Sequence, residues 1–302
     1  MKRAQIARKL WDSLWEDYSR RVKYAGLYQQ IIQQAGGSVA NDRIAFRSLR
    51  LTVDSPYGKV MLGIPYLANI AEALGYEMVG EYEFPQKCVY ARHYIHPKQD
   101  ILDLPKLFIS ELVVDALPSF IAQQIEQSVA CGNFYNLQAI LITATEKEIV
   151  SQLKAVFTRP WEPPKRSIVQ QVNAVSEYGA WVLLHGYAVN HFTGYVNRQN
   201  TPIYPDIEST ARALSERGIP MKKAIEGSRE SGLRQTSTVA VTEMVPVQDD
   251  NTGRSIEIPW SYAYYEIAER NLVEVSPGKT ELFQGFLSSP ARNLYEMTHT
   301  HV

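Results

Sequence analysis

The sequence predicts an α+β fold in which a strand-helix-strand unit occurs twice behind a long N-terminal helix. Three observations lead there. Apolar residues recur at helical spacing over residues 3–35, strand, helix and strand patterns follow over 37–84, and the same order returns over 181–268. The copies share little identity, so the duplication is a matter of pattern.

In the first stretch Ile6, Leu10, Leu14, Tyr18, Val22 and Leu27 repeat with charged residues between them, and Gly36-Gly37 stops the helix. A short strand is predicted at 44–49, then a helix at 63–74 ended by Gly75. Residues 76–84 alternate as a strand does, with Tyr76, Met78, Gly80, Tyr82 and Phe84 on one face. Residues 106–157 read as mostly helical. Trp161-Glu162-Pro163-Pro164-Lys165 is the best internal boundary. Beyond it, 181–192 reads as strand and 207–217 as helix, closed by Gly218-Ile219-Pro220. Strands are expected near 237–247, 255–259 and 261–268, and a short helix at 290–297. These elements form one domain over 1–302, with a helical segment at 1–35, a first module at 36–160 carrying a helical insertion, and a second module at 166–302.

Composition narrows the function. Lys and Arg total 31 against 32 acids, a formal charge of -1 without a long basic block. Nucleic-acid backbone binding needs a concentrated positive face, so it is not the expected partner. Cys88 and Cys131 are too few for a disulfide framework and read as buried thiols in a reducing compartment. The start, Met1-Lys2-Arg3-Ala4-Gln5, lacks the apolar core of a secretory signal, and no apolar run reaches the length of a membrane span. The expected location is the cytoplasm. Neither a P-loop, nor Gly-x-Gly-x-x-Gly after a strand, nor Gly-x-Ser-x-Gly occurs. Glu226-Gly227-Ser228 and Glu230-Ser231-Gly232 read as loop punctuation.

Several residues stand out chemically. Of six histidines, His299 and His301 lie near a terminus, and His93 and His96 flank a strand end in a weak His-x-x-His pattern that favours a structural role. His191 ends the apolar run Gly186-Tyr187-Ala188-Val189-Asn190. It is either a ligand for a first-row metal or a core histidine bonded to backbone. Glu266 follows Tyr262 and Tyr264 at strand spacing, and a carboxylate among aromatics requires a metal or a salt bridge. Arg47 lies inside an apolar strand, where a guanidinium would bind an organic carboxylate or pair with Asp42 or Asp54.

These residues sit in stretches that resemble a known family. They are Asp42-Arg43-Ile44-Ala45-Phe46-Arg47, Leu107-Phe108-Ile109-Ser110-Glu111-Leu112, Val189-Asn190-His191-Phe192-Thr193, Leu233-Arg234-Gln235-Thr236-Ser237, Tyr265-Glu266-Ile267-Ala268-Glu269-Arg270 and Gly285-Phe286-Leu287-Ser288-Ser289. Together they resemble the 2-oxoadipate dioxygenase/decarboxylase family, or hydroxyglutarate synthases. The His191 and Glu266 stretches also resemble the metal strands of the vicinal-oxygen-chelate superfamily, which includes hydroxyphenylpyruvate dioxygenase. That likeness implies a curved mixed sheet of duplicated βαβββ modules around one metal.

The resemblance implies an Fe(II) enzyme that takes a 2-oxo acid and dioxygen and converts 2-oxoadipate to 2-hydroxyglutarate and CO2 in lysine catabolism. Such chemistry uses two His and one carboxylate with open positions. His191 matches the second His ligand and Glu266 the carboxylate ligand. Arg47 matches the catalytic arginine that grips the substrate's distal carboxylate, with Gln235 and Ser237 as pocket-wall candidates. The first His ligand lies four residues before that arginine, where this chain has Arg43. An arginine stays protonated and has no lone pair for a metal. Three alternatives follow: another group such as His96 completes the set, the chain binds an acid without turning it over, or Arg43 disables an intact site. On one continuous strand His185 would lie about 20 Å from His191, too far to share an ion.

Overall fold

The structure, a computed structural model, describes residues 2–56, 58–136, 140 and 145–287. The predicted helix at 290–297 and the terminal histidines fall outside the described residues. The N-terminal helical stretch is two helices, α1 (Lys2–Arg21) and α2 (Lys23–Gln34), broken at Val22, whose ψ of 82° is not helical. Ala4, Ala7, Trp11, Leu14 and Tyr18 make the buried stripe of α1. Among the described residues no helix is long and apolar enough to cross a membrane.

Two βαβββ modules follow, as the α+β prediction requires. The first is β1 (Asn41–Leu49), α3 (Ile64–Ala73), β4 (Glu77–Phe84), β5 (Val89–Ile95) and β6 (Lys106–Leu112), with a hairpin of β2 (Thr52–Ser55) and β3 (Gly58–Met61) after β1. The second is β7 (Val189–Tyr195), α9 (Ile207–Glu216), β8 (Glu226–Ser228), β9 (Leu233–Ser237) and β12 (Glu266–Arg270), with a hairpin of β10 (Thr242–Gln248) and β11 (Ser255–Ser261) before β12. Their strands belong to an eight-stranded mixed sheet. Within each module the first strand is followed by the fourth, third and second: β1-β6-β5-β4 and β7-β12-β9-β8. A last hairpin joins β13 (Leu272–Ser276) to β14 (Lys279–Leu282).

Between the modules lie α5 (Ser119–Val129), α6 (Glu146–Val156), α7 (Arg166–Val175) and α8 (Glu177–His185), and α4 (Gln99–Leu102) is a single turn. Three predictions are corrected here. Residues 181–192 are not one strand, because α8 occupies their first half and β7 begins only at Val189. Every α8 residue from Tyr178 to His185 is buried, so no polar face betrays its period. Its boundary signals are the Ser176 side chain, which caps it by accepting from the Gly179 N–H, and Gly186 at φ +61. The predicted helical run from residue 106 begins instead as β6, buried on every residue. Apolar runs of this length do not separate buried strand from buried helix. The expected strand at 261–268 is shorter, since Tyr262 and Tyr264 precede β12.

The described residues of 1–14, 45–190 and 242–262 cluster as one compact unit, and those of 15–44, 191–241 and 263–302 as a second. In the first, Trp11 donates its indole N–H to Tyr76 Oη (2.8 Å) and its ring packs on Phe157. Glu111 is buried on β6 and accepts from the Ile64 N–H (2.7 Å), placing negative charge at the N-terminus of α3. In the second, Trp15 and Tyr18 pack their rings on Phe192. Asp206 caps α9 by accepting from the Ser209 N–H (2.8 Å).

Candidate functional site

Strand register in the second unit gathers the site. β12 runs parallel to β7 with Glu266 opposite Thr193, and antiparallel to β9 with Glu266 opposite Ser237 and Ala268 opposite Gln235. Directly opposed residues, and those two apart on a strand, share a sheet face. His191, Thr193, Glu266, Ser237 and Gln235 therefore project from one face. His191 and Glu266 stand on neighbouring strands two residues out of register, which puts their Cα atoms on the order of 8 Å apart. The His191 ring is buried and stacks on Tyr264 at 4.9 Å.

Arg43 reaches the same face from β1. Its Nη2 donates to Gln235 Oε1 (2.8 Å) and to Glu266 Oε1, and its Nη1 lies 3.4 Å from Asp42 Oδ2. Three strand spacings on a flat sheet would separate β1 from β9 by about 14 Å, beyond two perpendicular side chains, so these strands curl towards the guanidinium. Arg43 and Glu266 are 3% and 0% exposed, which makes this a buried ion pair. Thr193 Oγ1 donates to the same carboxylate oxygen (3.3 Å). Burial pushes the Glu266 carboxyl up to about 7, against the pull of Arg43; Glu226 and Asp42 push it further up, while Thr193 pulls it down. Glu266 Oε2 is buried with no hydrogen-bond partner among the described residues.

A second buried pair braces the first. Arg270, at the end of β12, binds Asp42 through two bonds, Nε to Oδ1 (2.5 Å) and Nη2 to Oδ2 (2.8 Å). Its Nη1 donates to the carbonyls of Phe283 and Gly285, each at 2.9 Å. That holds Phe286 with its ring 4.9 Å from the Arg43 guanidinium and 5.5 Å from that of Arg270, within cation–π range of both. The other carboxylate of this strand, Glu269, is structural: it accepts from the Ile207 N–H (2.9 Å) at the start of α9 and pairs with Arg234 (3.3 Å).

The remaining sequence-predicted residues lie as follows. Gln235 gives its oxygen to Arg43, while its Nε2 is 3.5 Å from Glu226 Oε2. Ser237 is fully buried, and its carbonyl accepts from the Lys222 N–H (2.8 Å). Arg47 belongs to the first unit, buried with its guanidinium 5.0 Å from the Tyr178 and Trp181 rings. His185, on α8, bonds the Ser261 carbonyl (3.2 Å) rather than sharing a strand with His191. His93 bonds Tyr82 Oη (3.0 Å), and His96 Nδ1 accepts from the Lys98 N–H (2.9 Å). Sequence reasoning missed Thr193, Glu226, Arg270 and Phe286. Glu226 had been read as loop punctuation but lies on β8. Thr193, Arg270 and Phe286 lay inside the quoted stretches, a signal of position without one of partner.

The iron expected from the resemblance meets a donor set that does not fit it. A guanidinium holds the first-ligand position and is hydrogen-bonded to Glu266, the carboxylate a metal would need. Among the described residues no group of three or more His, Cys, Asp or Glu side chains could hold a metal ion.

Comparison with known proteins places this geometry in context. Residues 12–301 match the family model described as 2-oxoadipate dioxygenase/decarboxylase. The chloroplastic 2-oxoadipate dioxygenase/decarboxylase of Arabidopsis thaliana is 29% identical over 275 residues, 85% of this chain and 67% of that protein. In fold, the chain is similar to a glyoxalase-superfamily protein of Ralstonia eutropha JMP134 (TM-score 0.81, 21% identity, covering 94% of this chain and 86% of the other). It is likewise similar to hydroxyglutarate synthase of Oryza sativa in complex with 2-oxoadipate (TM-score 0.75, 24% identity, 98% and 93% covered).

Proposed function

The chain belongs to the 2-oxoadipate dioxygenase/decarboxylase family, and from that membership we propose that it binds a small dicarboxylic acid of the 2-oxoadipate type, with the Arg43 guanidinium serving as the fixed cation in place of the iron that the resemblance implies. One observation carries the reading: Arg43, buried, donates to both Glu266 and Gln235. A tethered guanidinium offers planar N–H donors to carboxylates but neither redox chemistry nor open coordination positions. The proposed protein therefore recognises an acid without oxidising it. Arg47, matched by resemblance to the arginine that grips a distal carboxylate, is proposed for a ligand carboxylate on that ground alone.

Turnover of 2-oxoadipate, favoured by the names of the relatives, is the second reading, with iron held by His191 and Glu266 as the resemblance implies. Anaerobic Fe(II) reconstitution, desalting and metal analysis separate the two. The acid-binding reading expects negligible retained iron, no oxygen uptake with 2-oxoadipate, and a melting temperature that rises with dicarboxylic acid concentration. Near-stoichiometric iron would overturn it in favour of the enzyme.

A further inference from the structure

Arg47 is a buried cation on β1 whose guanidinium lies over two aromatic rings of the first unit, Tyr178 and Trp181, each at 5.0 Å. The two rings stand three residues apart on α8, on one face of the helix. Both are buried and pinned at their polar ends. Tyr178 Oη accepts from the N–H of Ser48 (3.2 Å), the residue next to Arg47, and lies 2.9 Å from Ser110 Oγ. The Ser110 hydroxyl gives its single hydrogen to the Phe46 carbonyl (3.0 Å), so Tyr178 is the donor in that pair. The phenol is thereby tied to the strand that carries Arg47. Trp181 donates its indole N–H to the Tyr262 carbonyl (2.6 Å) and stacks on the Tyr262 ring.

Filling a core does not require this. An aliphatic side chain would occupy the space without a polar group that must find a partner. What an aliphatic side chain lacks is a π face, and a ring attracts a guanidinium through that face. A carboxylate binds the same group at its edge, in the plane of the N–H donors. The two interactions do not compete, and a guanidinium held by its faces keeps its edge in one orientation. An unrestrained arginine gives up rotational freedom when it binds a ligand, whereas one clamped during folding has already done so.

We propose that Tyr178 and Trp181 are positioning residues, which clamp Arg47 by its faces and so aim its edge at one carboxylate of a dicarboxylic acid. The inference rests on the acid-binding reading above and names the residues through which the protein tells a diacid from a monoacid.

Isothermal titration of the full chain with 2-oxoadipate and with 2-oxohexanoate, which lacks only the distal carboxylate, tests it. The unaltered protein should bind the diacid at least ~10-fold more tightly, equivalent to about 1.4 kcal/mol. Trp181→Met and Tyr178→Met keep apolar volume but each remove a ring. In either variant 2-oxoadipate should bind ~10-fold more weakly, while 2-oxohexanoate changes by less than ~3-fold. In an Arg47→Met background the same changes should have no further effect on the diacid. Equal losses for the two acids, as a merely structural role predicts, or an undiminished loss in the Arg47→Met background, overturn the clamp and leave the acid-binding reading standing. Equal affinity of the unaltered protein for both acids also overturns it. If the unaltered protein binds neither acid, both proposals fall together. Should the ring variants fail to fold, nuclear magnetic resonance of the unaltered protein decides: the Arg47 Nε–H proton, identified by its loss in Arg47→Met, should be shifted upfield by the two rings, and an unshifted signal refutes the clamp.

Discussion

Replacing Arg43 by methionine keeps much of the side chain's volume and deletes its charge. Asp42 would still be held by the two bonds from Arg270, so the carboxylate left uncompensated is Glu266. Breaking a buried ion pair by removing one partner costs about 3–5 kcal/mol, and losing the donor to Gln235 adds roughly 1 kcal/mol or more. At pH 8, Arg43→Met should therefore destabilise by about 4 kcal/mol or more. Glu266→Leu leaves Arg43 its contacts with Asp42 and Gln235 and should cost less, about 2 kcal/mol. The double variant puts apolar groups on both sides, an exchange that is often near neutral. Urea unfolding of the four proteins should give a coupling energy of at least about 2 kcal/mol between the sites. Single-variant losses that add to the double within roughly 0.5 kcal/mol would show that Arg43 and Glu266 do not pair, and the account of the centre would fail.

Three further outcomes are expected. Because the Glu266 carboxyl is raised from 4.5 to about 7, the folded state keeps a proton that the unfolded chain releases. Its stabilising contribution is complete below about pH 4.5 and is lost as pH rises through 7, on the order of 3 kcal/mol in all. Glu266→Gln should flatten the curve of urea midpoint against pH in that window, and an unchanged slope would point to another group. Arg43→His restores an imidazole beside Glu266 and His191, so Fe(II) retained after anaerobic reconstitution should rise from near zero towards one equivalent; no gain would show that these side chains cannot share an ion. Arg270→Met removes both bonds to Asp42 and the two to the Phe283 and Gly285 carbonyls. It should cost about 3–5 kcal/mol and speed amide hydrogen exchange at 283–287 ahead of the strands, whereas uniform acceleration would mean that this segment is not held by Arg270.

What could be read from the chain was local. Alternation at 76–84 marked β4, and the helical spacing closed by Gly218 marked α9, because each element has one wet face that reveals its period. Buried elements hid theirs. β6 and α8 are buried almost throughout, and for α8 choosing between strand and helix needed the Ser176 cap and the turn at Gly186. The site showed the same division. His191 and Glu266 were visible as residue types in unusual surroundings, while Arg43 stood out only through the family resemblance. That Glu266 stands opposite Thr193, that the Arg43 guanidinium turns onto it, and that Asp42 is held by Arg270 rather than Arg47 all depend on strand register between distant segments. Pattern along the chain does not encode which strands meet.

The aromatic ring that two guanidinium groups approach has a practical consequence. Phe286 sits near the end of the described residues, yet its neighbours are the most deeply buried cations of the second unit. A chain trimmed back to Leu282 would lose that ring along with both carbonyls that Arg270 holds.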